Sequence, residues 1–284
     1  MSLEIIPASA FAECHYPLSL EALDICSNGR YKNKKGEEIE IREKIIKSIQ
    51  ETESFDPTIQ FYYKKNEPKQ GKIYVIAEKS VDCAIRLRYK YPNHRIALLN
   101  FANPYQPGGG FLGGAIAQEE CICRATALYP SICRRNEFFD YNINVSDSYG
   151  SDYLIFSPNV PIFKNDSYEP LECPLEVSMI TSAAVIAFRI KSTSLLKKDL
   201  DMINTTMHQR IKKIIELAIY KKVQVLILGA FGCGAFGNDP DEVAKSFKYW
   251  LIEKKMLEFF DEVVFPIPGS RTNNLGVFSK VLNK

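Results

Sequence analysis

Hydrophobic and polar positions along the chain predict β-strands that alternate with α-helices. Residues 72–78, 95–102 and 223–230 are short, almost continuous apolar runs, which is typical of strands buried on both faces of a sheet. Between such runs, as in residues 80–92 and 211–222, apolar residues recur at helical spacing, which indicates helices that pack one face against the sheet. The pattern predicts an α/β protein with three α/β/α layers and a mixed, mostly parallel sheet.

Capping residues indicate where some of the predicted helices start. Ser80 is expected to cap the helix that starts there, because a serine side chain can accept a hydrogen bond from a free backbone N–H of the first turn. Asn238 or Asp239 is expected to cap a later helix, with Pro240 in its first turn. Further strands are expected at 151–160, 175–185 and 262–267, and further helices at 115–130, at 241–255 and at the C-terminal end.

The N-terminal part of the chain is predicted to differ from the rest. Residues 1–36 contain several turn residues and are expected to be irregular. Residues 38–55 place apolar side chains at helical spacing between charges, which predicts a surface helix. We therefore expect an N-terminal helical extension, residues 1–70, packed on a core domain formed by residues 71–284.

Composition and charge narrow the range of functions. Lys and Arg number 36 against 34 for Asp and Glu, and a net charge of +2 gives no strong signal for nucleic-acid binding. No apolar run predicts a membrane span and no basic leader precedes an apolar segment, so a cytoplasmic protein is expected. The 8 cysteines include no CxxC pair and only 3 histidines are present, so we expect reduced thiols, no metal and no cofactor. We also expect a monomer.

The stretch PGGGFLGGAIAQEE, residues 107–120, combines glycines with two adjacent glutamates after a predicted strand. Open α/β sheets bind ligands at this end of their strands. Glycines let a sugar ring lie close to the backbone, and carboxylates supply acid–base chemistry. Because neighbouring helical side chains point about 100° apart, Glu119 and Glu120 cannot address one atom from the same direction. We expect one glutamate to transfer protons and the other to hold hydroxyl groups.

A second glycine-rich loop, GAFGCGAFGNDP, spans residues 229–240 and also follows a predicted strand. Backbone N–H groups of such a loop, placed before a helix, can bind a phosphate or diphosphate. Gly232, Gly234 and Gly237 also match the G-x-G-x-x-G fingerprint of dinucleotide-binding proteins. That fingerprint expects an acidic residue at the end of the next strand, whereas the acidic residues 261–262 precede it. A diphosphate site in another fold is therefore favoured over a Rossmann dehydrogenase.

Simpler interpretations of the same residues remain open at this point. Residues 118–120 could form only a solvated helix start, where the helix dipole favours acidic side chains. Cys121 and Cys123 adjoin the glutamates, but free cysteine commonly packs as a small apolar residue, so burial is favoured over a nucleophile. Cys233 lies before a helix N-terminus, which could lower the pKa of its thiol and make it sensitive to oxidation.

Two long motifs carry a resemblance to a known family. In residues 99–129, LNFANPYQPGGGFLGGAIAQEECICRATALY, seven residues separate the GGG triplet at 108–110 from QEE at 118–120. Together with LILGAFGCGAFGNDP at 226–240, this motif resembles the poly(ADP-ribose) glycohydrolases of the microbial type, which are catalytic members of the macrodomain fold. The likeness covers roughly residues 40–281. It implies a macrodomain-like catalytic domain and a metal-independent glycosidase.

The resemblance also implies a role for each residue of the two motifs. Glu120 would be the general acid that protonates the departing ribose 2′-oxygen, and then the base that activates water. Glu119 and Gln118 would hold ribose hydroxyls and orient the catalytic site, while Phe236 would press the distal ribose toward Glu120. The other implied ligand-binding residues are Asn103, Gly108, Gly109 and Gly110 at the distal ribose, and Gly232, Cys233, Gly234, Ala235, Gly237 and Asn238 around the diphosphate.

The function implied is hydrolysis of ribose–ribose O-glycosidic bonds in poly(ADP-ribose), with release of ADP-ribose. The expected partners are ADP-ribose, poly(ADP-ribose) and ADP-ribosylated proteins. Two alternatives stay open: a non-catalytic macrodomain that binds ADP-ribose, and a hydrolase that removes mono-ADP-ribose from protein or nucleic acid. The sequence departs from the family at residues 184–186, Ala-Val-Ile, where the family's Ala-Pro-Asn is expected. Phe265, Phe278 and Tyr105 are candidates to stack on adenine, although each could equally be a core aromatic.

Overall fold

The structure, a computed structural model, describes residues 5–64, 67–145, 147–194, 196–269 and 272–283. The first residues of the predicted extension and the last residue of the predicted core domain lie outside this description. The described strands are β1 (Arg30–Lys32), β2 (Glu38–Glu40), β3 (Glu53–Phe55), β4 (Lys72–Ile76), β5 (Ile96–Phe101), β6 (Leu154–Lys164), β7 (Pro170–Ser182), β8 (Val225–Ile227) and β9 (Glu262–Pro266). The described α-helices are α1 (Ala8–Glu13), α2 (Pro17–Asn28), α3 (Arg42–Glu51), α4 (Ser80–Lys90), α5 (Gln118–Ala125), α6 (Leu128–Ile132), α7 (Asn136–Val145), α8 (Ala187–Thr193), α9 (Lys197–Tyr220), α10 (Pro240–Lys248) and α11 (Asn274–Leu282).

Seven strands form one mixed sheet in the order β3-β6-β7-β5-β8-β9-β4. The pairs β7–β5, β5–β8, β8–β9 and β9–β4 are parallel. The pairs β3–β6 and β6–β7 are antiparallel, while β1 and β2 form a separate hairpin. The prediction of a mixed, mostly parallel sheet is confirmed.

The side chains of β5 show why its residues form a central strand. Ile96 and Leu98 point to one face of the sheet and join the core that contains apolar residues of α2 to α6. Ala97 and Leu99 point to the other face and join the core formed with α9, α10 and α11. Burial of one such leucine or isoleucine side chain contributes about 1.5–3 kcal/mol. The three-layer prediction is therefore confirmed.

The order of the strands brings the two glycine-rich loops together. β5 and β8 are parallel neighbours, with Ile96 opposite Val225 and Leu98 opposite Ile227. Their carboxyl ends lie at the same edge of the sheet, so the loops after Phe101 and after Ile227 meet there although they are far apart in sequence.

The N-terminal region is more regular than its sequence predicts. Residues 1–36 were expected to be irregular, but they contain α1, α2 and β1. Helix α2 starts at Pro17 and stops at Gly29, whose φ of 69° is left-handed and suits a glycine at a helix end. The surface helix expected at 38–55 is present but shorter, as α3, because the two ends of the segment pair as strands: β2 with β1, and β3 with the edge of the main sheet at β6. The division of the chain at residue 70 stays a prediction.

Two other local predictions have different outcomes. Ser80 does not cap α4, whose N-cap residue is Lys79 without a side-chain bond; instead, the hydroxyl of Ser80 accepts a hydrogen bond from Gln118. Asp239 caps α10 as expected, since its side chain accepts from the backbone N–H of Asp241. The predicted helix at 115–130 is divided into α5 and α6, and the one at 241–255 continues past α10 as a π-helical turn.

Among the described helices, none has the length and apolar character needed to cross a membrane.

Candidate active site

A cavity of about 430 Å3 lies at the carboxyl ends of β5, β8 and β9. Its volume falls within the usual range of small-molecule sites, about 300–1,000 Å3. Phe101, Ala230 and Pro266, which end or follow these strands, contribute to the lining. Of the predicted site residues, those that line the cavity are Gln118, Gly232, Gly234, Ala235 and Phe236. The first loop reaches it through Ile116 and Ala117.

The three polar residues that open α5 are each held by a different partner. The side chain of Gln118 accepts from the N–H of Phe101 at 2.8 Å and donates to the carbonyl of Leu99 at 2.7 Å, which ties the helix to β5. The carboxylates of Glu119 and Glu120 point to separate groups of the first loop. The sequence expectation that the two glutamates address different atoms agrees with this arrangement.

Glu120 is fixed by the glycine loop through one of its two carboxylate oxygens. Its Oε1 accepts a hydrogen bond of 2.9 Å from the backbone N–H of Gly110. Gly109 has a φ of 55°, and a Cβ placed there would lie 2.5 Å from the same oxygen. Glycine is therefore required at this position by both its backbone conformation and the space available. The second oxygen, Oε2, is buried without a hydrogen-bond partner in the described part of the chain.

Glu119, next to Glu120 in the first turn of α5, is almost completely buried. Its Oε1 accepts from the side-chain amide of Asn100 at 3.1 Å, and its Oε2 accepts from the backbone N–H of Asn103 at 2.8 Å. Burial raises the pKa of Glu119 from its usual 4.5 to about 8, and the neighbouring Glu120 acts in the same direction. The two hydrogen bonds oppose this shift without cancelling it. At neutral pH Glu119 therefore favours its protonated form.

Asn103 forms a tight turn at the start of the first loop. Its side-chain oxygen accepts from the backbone N–H groups of Tyr105 and Gln106, at 2.8 and 3.2 Å. Its side-chain nitrogen makes no hydrogen bond to any residue that the structure describes. The turn holds Asn103 beside Glu119, with both N–H donors of its side-chain amide left for a ligand.

A buried arginine, Arg124, holds the first loop in place at Phe111 and Ala115. Arg124 is fully buried, and its guanidinium donates to the carbonyls of Phe111 and Ala115 and to the hydroxyl of Ser19. Ser19, which lies on α2, in turn donates to the carbonyl of Phe111 at 2.6 Å. Within the described residues, Arg124 has no carboxylate partner, so its charge is satisfied mainly by loop carbonyls and by Tyr16, whose ring lies 4.8 Å away. Helix α2 and Tyr16, which precedes it, thus help to fix the loop that holds Glu120.

The second loop leaves several of its backbone donors free. Gly232 and Gly237 have φ values of 74° and 69° and make the turns that bend the loop. The backbone N–H groups of Gly234, Ala235 and Phe236 make no hydrogen bond within the described residues, and all three residues line the cavity. Consecutive free N–H groups before a helix form a site for an anion.

Asn238 and the 184–186 segment explain how this loop is held. The side-chain nitrogen of Asn238 donates to the carbonyls of Val185 and Gly232, at 2.8 and 3.0 Å. Asn238 is buried, so it supports the loop from behind. The Ala-Val-Ile segment, which departs from the family pattern, therefore meets the second loop through a backbone carbonyl, which does not depend on the side chain at residue 185.

Of the two cysteines expected to be buried beside the glutamates, Cys121 is instead half-buried and lines the cavity. Cys123 is buried as expected, and burial raises the pKa of its thiol well above the usual value. The suggestion that a helix N-terminus lowers the pKa of Cys233 is wrong, because burial raises it to about 12. Among the described residues, no three His, Cys, Asp or Glu side chains converge as a metal-binding group.

The aromatic candidates for adenine fall into two groups. Phe265 and Phe278 are fully buried and pack against each other at 5.9 Å, so they belong to the core. Tyr105 is half-buried at the edge of the first loop, where the guanidinium of Arg189 lies 5.7 Å from the centre of its ring. Of these three, only Tyr105 could touch a ligand.

Sequence reasoning missed Asn100, Arg124 and Ser19. Asn100 gave a usable signal, since it is a lone amide inside an otherwise apolar strand and is fully buried. Arg124 and Ser19 gave none, because they are 105 positions apart and meet only in the fold.

The chain is similar to known proteins in both sequence and fold. Residues 19–165 match the family model of the microbial-type poly(ADP-ribose) glycohydrolase (PARG) catalytic domain. The match begins before residue 40, where the sequence likeness was expected to start. No curated protein matches the chain.

Solved structures resemble the whole fold. PARG from Thermomonospora curvata is 29% identical with a TM-score of 0.86, over 96% of this chain and 99% of that one. The structure of that enzyme bound to the inhibitor ADP-HPD gives a TM-score of 0.83. PARG from Deinococcus radiodurans in complex with ADP-ribose is 31% identical with a TM-score of 0.74, over 83% of this chain and 96% of that one.

Proposed function

The chain belongs to the microbial-type poly(ADP-ribose) glycohydrolase family, and on that basis we propose that Glu120 carries out the acid–base chemistry of the family reaction. The protein is a glycosidase that hydrolyses ribose–ribose O-glycosidic bonds of poly(ADP-ribose) and releases ADP-ribose. The terminal ADP-ribose unit binds in the cavity and along the two glycine-rich loops.

One observation carries the assignment of Glu120. The loop holds one of its carboxylate oxygens, while the other is buried without a partner among the described residues. A buried, unpaired oxygen is costly unless a ligand or a proton satisfies it. We assign Oε2 as the atom that exchanges protons with the substrate, because Oε1 is occupied by Gly110.

The proposed reaction has two proton transfers through this oxygen. In its protonated form, Glu120 gives its proton to the 2′-oxygen of the leaving ribose as the bond from that oxygen to the distal ribose C1″ breaks. The Glu120 carboxylate then takes a proton from a water molecule, whose oxygen bonds to C1″. The enzyme returns to its starting state, and the products are ADP-ribose and a polymer shortened by one unit.

The other predicted site residues position the substrate. Glu119 and the free amide of Asn103 hold hydroxyls of the distal ribose, which rests on the backbone at 108–110. Gln118 acts mainly through the structure, because its amide already bonds to β5. The N–H groups of the second loop, from Gly234 to Phe236, bind the diphosphate.

The developing positive charge on the distal ribose needs stabilisation as the bond breaks. Glycosidases with two carboxylates place them on opposite sides of the bond, several ångströms apart, and adjacent residues such as Glu119 and Glu120 are not arranged in that way. We propose that the diphosphate of the substrate supplies the second negative charge, held near the ribose by the second loop.

Both alternative functions use the same site. A reader of ADP-ribose would need no acid–base residue, so the fixed carboxylate of Glu120 favours the enzyme. Removal of mono-ADP-ribose from protein or nucleic acid differs on the acceptor side of the bond. Binding of ADP-ribosylated proteins, the cytoplasmic location and the monomeric state stay predictions.

The experiment is a product analysis by chromatography. Wild-type protein is incubated with poly(ADP-ribose), and separately with a mono-ADP-ribosylated protein and a mono-ADP-ribosylated oligonucleotide, in buffer with a chelator. We expect ADP-ribose release from the polymer at a much higher rate than from either single-unit substrate. Binding of ADP-ribose without release from any substrate would support the reader, and faster release from a single-unit substrate would support the mono-ADP-ribose hydrolase.

A further inference from the structure

Three residues that no part of the proposed chemistry uses form a contact beside the two glycine-rich loops. We call Tyr105, Phe188 and Arg189 the acceptor rim. The guanidinium of Arg189 lies 5.7 Å from the ring centre of Tyr105 and 6.0 Å from that of Phe188. Phe188 is 50% exposed, which is unusual for a phenylalanine, and Arg189 is exposed as well.

The acceptor rim is tied to both glycine-rich loops. Tyr105 lies two residues after Asn103 and donates its backbone N–H to the Asn103 side chain at 2.8 Å. Phe188 donates its backbone N–H to the carbonyl of Phe236 at 3.0 Å, and its Cβ would be 3.2 Å from a Cβ placed at Gly237. Arg189 therefore bridges the loop that holds the distal ribose and the helix that packs on the diphosphate loop.

The position of the rim follows from the sheet. Phe188 and Arg189 lie at the start of α8, which follows β7, and Tyr105 lies in the loop after β5. The ends of β7 and β5 are paired, with Ser182 opposite Phe101. The cavity extends the other way, toward Pro268 and Asn274, and no rim residue belongs to its described lining. If the terminal ADP-ribose fills the cavity with its distal ribose at Glu120, the rim faces the part of the substrate beyond the scissile bond.

The chemistry of the rim suits a nucleotide. Exposed aromatic rings stack on bases, and an arginine can both stack on a base and pair with a diphosphate. Arg189 has no carboxylate within ion-pair distance in the described part of the chain, so its charge is available. Lys191, two residues further on α8, donates to the carbonyl of Gly237 at 2.8 Å and so places a second positive charge beside the second loop.

We propose that the acceptor rim binds the adenosine and diphosphate of the polymer unit on the leaving side of the scissile bond, and so makes the enzyme selective for poly(ADP-ribose) over single ADP-ribose groups. This inference rests on the proposed function of the same site. It assigns the choice of substrate to residues outside the cavity that holds the terminal unit.

The test compares the rim variants Arg189→Ala and Phe188→Ala with wild type. Steady-state rates are measured on poly(ADP-ribose), and the Kd of free ADP-ribose is measured by calorimetry. We expect kcat/KM on the polymer to fall about tenfold, mostly through KM, because one stacked base contributes on this scale. The Kd of ADP-ribose should stay within about twofold, since free ADP-ribose has no leaving-side unit. The wild-type KM for the polymer should also rise more steeply with salt than that of Arg189→Ala.

Two surface variants serve as controls. Tyr89→Ala removes a ring that is 67% exposed at the end of α4, and Arg30→Ala removes a half-exposed arginine of the β1–β2 hairpin. Neither control should change the polymer kinetics. Polymer kinetics unchanged in both rim variants would overturn the inference, as would a loss of ADP-ribose binding equal to the loss on the polymer.

The measurements distinguish a failure of this inference from a failure of the proposed function. If wild type does not cleave poly(ADP-ribose), the proposed function fails, and the variants are then compared by their affinity for the polymer. In that case, a weaker affinity for poly(ADP-ribose) with unchanged affinity for ADP-ribose still supports the rim, and an unchanged polymer affinity overturns it.

Discussion

The backbone N–H of Gly110 donates a 2.9 Å hydrogen bond to one carboxylate oxygen of Glu120, ten residues further along the chain. The bond closes the glycine-rich loop onto the first turn of the helix that follows it. It also distinguishes the two oxygens of Glu120, because the other one is left buried and unpaired within the described residues. The loop is therefore both a surface for the distal ribose and the support that orients the proposed acid.

The first prediction concerns Gly109. In Gly109→Ala, the new methyl group would lie 2.5 Å from the Glu120 carboxylate, which must move. We expect kcat for ADP-ribose release to fall about 100-fold, because a displacement of about 1 Å in a catalytic group costs on this order. The measurement is steady-state turnover of poly(ADP-ribose).

Gly36→Ala is the matched control for this change. Gly36 has a similarly left-handed φ of 81° but open space around it, in the hairpin between β1 and β2. Gly36→Ala should lose about 1 kcal/mol of unfolding free energy through backbone strain and keep the kcat of wild type. Equal losses of kcat in the two variants would show that backbone strain alone, without the Glu120 contact, explains the effect.

The second prediction concerns the clamp on the first loop. Ser19→Ala removes the hydroxyl that donates to Phe111 and accepts from Arg124, and leaves part of a buried guanidinium unpaired. We expect the free energy of unfolding to fall by about 1–3 kcal/mol. Because the same loop holds Glu120, kcat should fall as well. Denaturant unfolding and turnover of poly(ADP-ribose) measure the two effects.

Ser131→Ala provides the comparison for a buried serine. The hydroxyl of Ser131 is buried without a partner among the described residues, so its removal should leave both stability and kcat almost unchanged. If Ser19→Ala behaves like Ser131→Ala, helix α2 does not support the catalytic loop through Ser19.

The third prediction concerns pH and Glu119. Burial raises the pKa of Glu119 in the folded protein to about 8, while an unfolded chain has the usual value of 4.5. Between these values the folded state keeps a proton that the unfolded state has released, so the contribution of Glu119 to stability falls as pH rises from about 4.5 to 8. In Glu119→Gln this contribution is absent, and the decline of unfolding free energy over that range should be shallower than in wild type.

Denaturant unfolding at several pH values between 5 and 8 checks this slope. Glu43→Gln, which changes an exposed glutamate on α3, should keep the wild-type slope. Parallel curves for wild type and Glu119→Gln would mean that Glu119 is not held in its protonated form by the fold.

Much of the architecture could be predicted because the central strands are almost entirely apolar. β5 carries buried side chains on both faces, and this pattern alone indicates a sheet covered by two layers of helices. The short N-terminal helices could not be predicted in the same way. Helix α2 is identified by Pro17 at its start and Gly29 at its end more than by its apolar pattern, and these signals lie in a region rich in turn residues.

The same distinction applies to the candidate site, where features set by local sequence could be predicted and features set by distant contacts could not. The role expected for the Glu119–Glu120 pair followed from local geometry, since adjacent helical side chains diverge. The burial of Glu119 and the Arg124–Ser19 clamp depend on contacts between distant segments, which no local pattern encodes. The length of the helix in the 38–55 segment was overestimated for a related reason: strand pairing of β2 with β1 and of β3 with β6 ends the helix on both sides.

The fourth prediction tests the central claim, and its measurement is the rate of ADP-ribose release from poly(ADP-ribose) by wild type and by Glu120→Gln, with ADP-ribose affinity measured in parallel. Glutamine keeps the shape of the side chain and can still accept from the N–H of Gly110, but it cannot exchange the proton. We predict that Glu120→Gln loses about 100-fold to 10,000-fold in rate and binds ADP-ribose within a fewfold of wild type. Wild-type rates in Glu120→Gln would contradict the assignment of Glu120 as the general acid and base.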